Sequence, residues 1–283
     1  MSRRRWTTFA LAAALALALA PPPAALAQEA LNTPAATQPS TGHFVYQSKL
    51  RFARYGDDPT GADRSGDDLT FNHRLQYGLS KDWSAQLDVA LIRRDVDEPG
   101  AERDVEAGLG DATLTFKHRF WQDDFGPVDT ARAAVFAGAQ LPTGAAAFSS
   151  DSVDPVLGAV FMYIGGRHGF NQSASYTLTT GATDGELRPG DSLADLVRFD
   201  SAYLYRLSPA EYGSEYVAST YAVLELNGVY ETNGDVELLL SPGLLYEGTT
   251  WAAEAGVQVP VYRSVDDRPE TEWGLVLGLR FLW

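Results

Sequence analysis

The chain has 283 residues, no cysteine and a formal net charge of -15 at pH 7. So acidic a balance argues against nucleic-acid binding, and the missing cysteines exclude a disulfide framework, a thiolate metal site and a thiol nucleophile. Mean hydropathy is slightly negative, -0.17, and nowhere do about eighteen apolar residues run together, so spanning helices are excluded too.

Residues 1–27 read as a signal peptide. Arg3, Arg4 and Arg5 supply the basic start, Phe9 to Ala20 the apolar stretch, Pro21 to Pro23 its end, and Ala25-Leu26-Ala27 the small-residue cleavage site before Gln28. Residues 28–41, built from Pro, Thr, Gln and Ala, read as a flexible periplasmic linker.

From residue 42 to 283 the chain falls into stretches of ten to fourteen residues with period-two alternation, separated by Gly, Asp, Pro and Ser clusters. In the first, 44–54, Phe44, Tyr46, Leu50 and Phe52 oppose Gln47, Lys49 and Arg51. In the second, Leu69, Phe71, Leu75 and Tyr77 oppose Thr70, Asn72, Arg74 and Gln76. In the third, Trp83, Ala85, Leu87, Val89 and Leu91 oppose Asp82, Ser84, Gln86 and Asp88. Nine more follow, at 108–121, 130–141, 155–164, 169–180, 196–207, 219–230, 235–246, 250–262 and 272–283. Strands this long suit a tilted membrane crossing of roughly nine to eleven residues rather than a sandwich strand of five or six. The expected fold is all-β: one transmembrane antiparallel up-and-down β-barrel of about twelve strands. An even count places both chain ends on one side, the periplasmic one if the long acidic connections face outside.

The connections alternate in length, as such a barrel requires. Ser80 to Asp82, Gly165 to His168 and Glu247 to Thr249 are short; Gly56 to Asp68, Arg94 to Glu106, Gly181 to Asp195 and Arg263 to Thr271 are long. Gln122 to Asp129 and Ser208 to Glu215 exceed the length the scheme expects of turns. Acid concentrates in the long links, with Asp57, Asp58, Asp63, Asp67 and Asp68 in the first and Asp95, Asp97, Glu98, Glu102, Asp104 and Glu106 in the second. A solvated outer surface explains it more simply than a cation site. In the last stretch Trp273, Leu275, Leu277, Leu279, Phe281 and Trp283 alternate without a break.

Three glycine-rich motifs carry a family likeness: Gly108-Leu109-Gly110-Asp111-Ala112, Leu141-Pro142-Thr143-Gly144 and Leu240-Ser241-Pro242-Gly243-Leu244-Leu245-Tyr246. With them the mature chain resembles the outer-membrane transporter family named after the meta-pathway of phenol degradation. The resemblance implies passage of small solutes, with aromatic or hydrophobic compounds as one class, and supplies no site residues. Likeness to outer-membrane barrels in general implies that the terminal strand and Trp283 are an assembly signal read by the barrel-assembly machinery.

The face opposite the aromatic-rich one is the expected lumen. It carries a basic wall of Lys49, Arg51, Arg74, Lys117, Arg119, Arg132 and Arg280, with Asp88 and Asp111 as exceptions, and an acidic wall of Glu225, Glu237 and Glu254 with Asn227 and Gln258 beside them. Charges on the lipid side would cost roughly 2–4 kcal/mol at mid-bilayer, which puts them inward. Inward Gly78, Ala134, Gly138, Ala252, Gly256, Gly274 and Gly278 leave room for a gap. Water between the walls would make a narrow selective pore; contact between them would make an ion-pair plug.

Four histidines are present. None has a second histidine at metal-ligand spacing, so no metal and no cofactor are expected. His118 reads as interfacial. Ser48 and His73 face outward at a plausible cross-strand position, an arrangement similar to outer-membrane phospholipases without their spacing or orienting asparagine; mutual satisfaction of two polar groups in lipid is the simpler reading. Asp200 beside Arg198 and Arg206 reads as a lumen ion pair. The expectation is therefore a non-enzymatic outer-membrane passive channel for small solutes, in contact with outer-membrane lipid, with oligomeric state open. A sealed structural or adhesive barrel is the alternative, and a lipid-facing hydrolase a more distant one.

Overall fold

The structure is a computed structural model that describes residues 29–102, 104–181, 187–212 and 217–283. The signal peptide expected over 1–27 lies outside the described residues. Alternating sequence becomes strand throughout: β1 (Phe44–Gly56), β2 (Ser65–Gly78), β3 (Trp83–Asp97), β4 (Asp104–Leu109) and β5 (Ala112–Asp124). Then come β6 (Thr130–Leu141), β7 (Asp154–Gly165), β8 (His168–Thr177) and β9 (Leu196–Ser208). The last four are β10 (Ala218–Glu231), β11 (Val236–Gly248), β12 (Trp251–Ser264) and β13 (Glu270–Leu282). Each neighbouring pair is antiparallel, β1 pairs with both β2 and β13, and the β2–β3 pairing closes the sheet.

Thirteen strands make twelve barrel staves, because β4 and β5 pair with the upper and lower parts of the same β3. Leu109 and Leu114 are both exposed on the outer face although their offset along the chain is odd, which in an unbroken strand would put them on opposite faces. One extra residue at Gly110-Asp111 therefore slips the inward–outward phase, as a bulge does. The stretch read as one strand over 108–121 is two.

Burial runs opposite to that of a water-soluble barrel. Leu50, Phe71, Leu87, Phe116, Leu157, Leu224 and Leu277 are exposed on the outside, while Gln47, Thr70, Asn171, Glu225 and Arg280 are buried inside. An apolar exterior around a polar interior is the arrangement a bilayer stabilises. Aromatic side chains girdle the end where β1 begins and β13 finishes, called the terminal end below: Phe44 against Tyr77 and Trp283, Trp83 against His118, Trp121 against Phe161, Phe125 against Tyr163, and Tyr246 against Trp251. Such belts sit at headgroup level.

At this terminal end the turns are short except for the 209–217 connection, and β5 runs to Asp124, so the first three residues of the 122–129 link are strand. At the far end the strands outrun the expected boundaries. Asp67, Asp68, Asp95, Asp97, Asp104 and Glu106, expected in loops, lie on β2, β3 and β4. The largest correction concerns residues 28–41. From Glu29 onward this segment is no free linker: Ala30, Leu31, Thr33, Ala35 and Ala36 are buried between the walls of the barrel.

Candidate functional site: an occupied lumen

The N-terminal segment crosses the lumen between two apolar seats. Ala30 and Leu31 pack with Ala202, Leu204, Tyr221, Val223, Leu245 and Ala252 on β9 to β12. Ala35 and Ala36 pack with Ala134, Val160, Met162 and Ile164 on β6 and β7. Small inward residues make the first seat possible. A Cβ at Gly243 would stand 2.8 Å, and one at Gly256 2.5 Å, from Leu31 Cδ2. Hence Gly256, Ala134 and Ala252, read from sequence as leaving a gap, leave room for the chain's own residues. Gly278 faces Glu254 instead.

Between the seats, polar contacts hold the segment's backbone, which has no ladder of its own and must find partners where buried. Glu225, fully buried on β10, accepts from Asn32 N at 2.9 Å, Asn32 Nδ2 at 2.6 Å and Thr33 N at 3.4 Å. Arg51 on β1 donates to Asn32 Oδ1 at 2.6 Å, so one asparagine spans the two walls. Lys49 donates to Leu31 O, and Lys117 on β5 to Ala35 O at 3.1 Å and Thr37 O at 2.6 Å. Glu29 lies 3.7 Å from both Arg74 and Arg280. Burial pushes the Glu29 carboxyl up, but Arg280, Arg74, Lys49 and Lys117 outweigh it and hold the group below the usual carboxylate range. Gln38 then reaches Lys81 O at 2.9 Å, and the segment leaves at the terminal end, where Gly42 N bonds Gly78 O.

The expected basic wall is thus largely a socket. Lys49, Arg51, Arg74, Lys117 and Arg280 all meet the N-terminal segment. Arg119 instead donates to Lys81 O at 2.6 Å and lies 3.4 Å from Asp82; Arg132 pairs with Asp124 at 3.6 Å at the terminal rim. The acidic wall divides too. Glu254 pairs with Lys49 at 2.9 Å and Arg280 at 3.4 Å, whereas Glu237 is at the far end, accepting from Thr271 N at 2.7 Å beside Arg268 at 3.1 Å. Asp88 pairs with Arg74 at 2.6 Å. Asp200 accepts from Asn227 at 2.9 Å and Ser173 at 3.1 Å rather than from an arginine. Outside, the register does pair Ser48 with His73, but the partner of His73 Nδ1 is Tyr46 Oη at 2.6 Å. Among the described residues no group of three potential ligands could hold a metal ion.

The far half of the lumen is occupied by inward loops. Asp111 accepts from Thr143 N at 3.0 Å, Gly144 N at 2.8 Å, Ser150 N at 2.9 Å and Ser150 Oγ at 3.2 Å. It thereby pins residues 142–153 so that Phe148, buried, lies under Arg94. Gly108 has no room for a Cβ, which would meet Ala145 at 2.7 Å. Two of the three glycine motifs, Gly108–Ala112 and Leu141–Gly144, therefore form one clamp, and the third shapes the Leu31 seat. Arg94 and Arg188 close a buried cluster with Asp68 and Asp191. Nothing in the period-two pattern marks Asn32, Leu31 or Asp111 for these roles; the paired inward glycines at 243 and 256 are the available signal, since they call for an occupant.

Fold and lumen together define an outer-membrane-type β-barrel whose interior is filled by its own N-terminal segment and loops. The chain belongs to the family described as "Putative MetA-pathway of phenol degradation", whose sequence profile matches residues 88–274. An outer membrane channel from Pseudomonas putida F1 is similar in fold, with a TM-score of 0.56 and 14% identity over 86% of this chain and 96% of that one. So is the beta domain of the Bordetella autotransporter BrkA, with a TM-score of 0.50 and 15% identity over 86% and 100%. No curated protein matches.

Proposed function

We propose that the protein is an outer-membrane channel for small solutes, closed in this structure by residues 29–41, with both termini periplasmic. The observation that carries this is the mode of closure. Wall side chains can fill an eight-strand barrel, whereas here Gly243, Gly256, Ala134 and Ala252 are cut back to admit a separate segment of chain. Its polar contacts are carbonyls and carboxylates that water can replace once it leaves. The likeness in fold to the Pseudomonas channel supports the reading. Aromatic or hydrophobic solutes suit the family's description and the apolar seats around Leu31 and Ala35. The basic residues then have two roles, seating the segment when closed and lining the pore when open.

The lack of cysteine in the chain makes a clean test possible. Paired Leu31→Cys and Gly243→Cys substitutions place two thiols where Leu31 Cδ2 now meets the Gly243 position at 2.8 Å. In planar bilayers the reduced protein should show open events that oxidation abolishes and reductant restores. Equal conductance in both states would refute closure by this segment. Silence in both, and in the unmodified protein, would favour a sealed structural barrel.

A further inference from the structure

At the terminal end a cavity of about 460 Å³ lies between the N-terminal segment and the walls of β2, β5, β6 and β13. Lys81, Arg119, Arg132 and Arg280 line it, and among the described residues Glu29 is its one carboxylate. Glu29 is already shared by Arg74 and Arg280. Of the other acids toward this end, Asp82 and Asp124 are turned to the rim, with side chains 41% and 52% exposed, so their fields are screened by water, and Glu247, buried on β11, faces Arg280 without lining the cavity. Arg119 is the opposite: its side chain is 9% exposed and its Nε is buried without a hydrogen-bond partner. A buried, unanswered guanidinium N–H beside a cavity is a donor awaiting an acceptor. The amides of Gln38 and Gln76 on the same lining add neutral donors.

We propose that this chamber is a binding site for a small organic anion bearing a carboxylate. The inference deepens the channel reading and rests on it: the chamber is where a solute stands between the seated segment and the terminal mouth. Guanidinium groups match a carboxylate in plane and bind it through charge-assisted hydrogen bonds. The volume falls in the range of small-molecule sites, and low-dielectric walls concentrate the positive potential on the chamber. Pro39, Val45 and Leu282 give the rest of such a solute an apolar surface.

The test is equilibrium dialysis of the purified full-length barrel against benzoate and its neutral counterpart benzyl alcohol. Benzoate should bind one to one and at least about tenfold tighter, the difference expected of a charge-assisted hydrogen bond, and salt should weaken it. Arg119→Gln and Arg132→Gln should each weaken benzoate about tenfold and leave benzyl alcohol unchanged. Arg132 makes only rim contacts, so that variant keeps the barrel intact, as heat-modifiable migration will verify, even if Arg119→Gln misfolds. Equal binding of the two probes, or benzoate binding indifferent to Arg132→Gln, would overturn the site. Bilayer recordings on the same preparation separate the two ideas. A silent barrel that binds benzoate loses the channel and keeps the site; a conducting barrel with no preference for benzoate keeps the channel and loses the site.

Discussion

Glu29 is surrounded by Arg280, Arg74, Lys49 and Lys117, which hold its carboxyl below the usual range against the opposing effect of burial. Glu254, paired with Lys49 and Arg280, Asp88, paired with Arg74, and Glu247, beside Arg280, also face this cluster. Because the seated state binds the Glu29 proton less tightly than water does, its contribution to closure is complete above the usual carboxylate value of about 4.3 and is lost as pH falls through the depressed one. Conductance should therefore stay low from pH 8 to 5 and rise on further acidification. Glu29→Gln should raise conductance at neutral pH and remove that acid step; an unchanged pH profile would mean that Glu29 does not hold the segment. Asp111 offers a second residue-level test. Asp111→Ala leaves the N–H groups of Thr143, Gly144 and Ser150 without their acceptor, at about 1–3 kcal/mol for each left buried. Limited proteolysis should then cut within 142–153 far faster than in the unaltered barrel, and the same cleavage rate in both would dismiss the clamp. Asp111 was readable from sequence only as an odd acid in a basic arc, because its partners lie more than thirty residues away.

At the scale of elements, the strands were legible because lipid outside and water or polar chain inside impose period two on every stave, as in β6, expected and found at 130–141. The break between β4 and β5 was not, since a single extra residue at Gly110-Asp111 changes phase without changing composition. Nor was the N-terminal segment: thirteen residues with no periodicity take their conformation from the wall, and only Gly243 and Gly256 register its presence. This makes the wall the place to disturb it. Gly256→Val puts a branched side chain where Leu31 Cδ2 stands 2.5 Å from the Cβ position. The variant should insert normally and migrate as a heat-modifiable barrel while conducting more than the unaltered protein, and an unchanged conductance would show that the segment tolerates displacement of Leu31. Trp283 helps to close the sheet against β1. Its backbone exchanges hydrogen bonds with Phe44 at 2.8 and 3.1 Å and its ring stacks on Phe44 at 6.3 Å. If it is also the assembly signal, Trp283→Phe should insert fully and deletion of Trp283 should lower inserted yield; equal yields from both would reduce Trp283 to a structural closure.

At the scale of the whole molecule, the two ends of the barrel differ in their connections and their charge. The terminal end has the aromatic girdle and short turns at 79–82, 166–167 and 249–250, while the far end has strands that outrun the apolar belt and longer connections such as 142–153. The far end also holds the surplus acid, Asp57, Asp58 and Asp63 in one connection and Glu98 and Glu102 in another. In this class of barrel short turns face the periplasm and long connections the outside, so the acidic end is expected to face outward and the arginine-lined chamber inward. A solute bound in that chamber would then sit on the periplasmic side of the seated segment, and the potential along the lumen would run from negative at an acidic outer mouth to positive at a basic inner one. Surface labelling tests the orientation without reference to transport. An epitope inserted after Asp63, in the connection between β1 and β2, should be reached by antibody on intact cells, and one inserted at Lys81, in the turn between β2 and β3, only after the outer membrane is permeabilised. The reverse pattern would turn the barrel over and put the basic chamber, with both termini, at the cell surface.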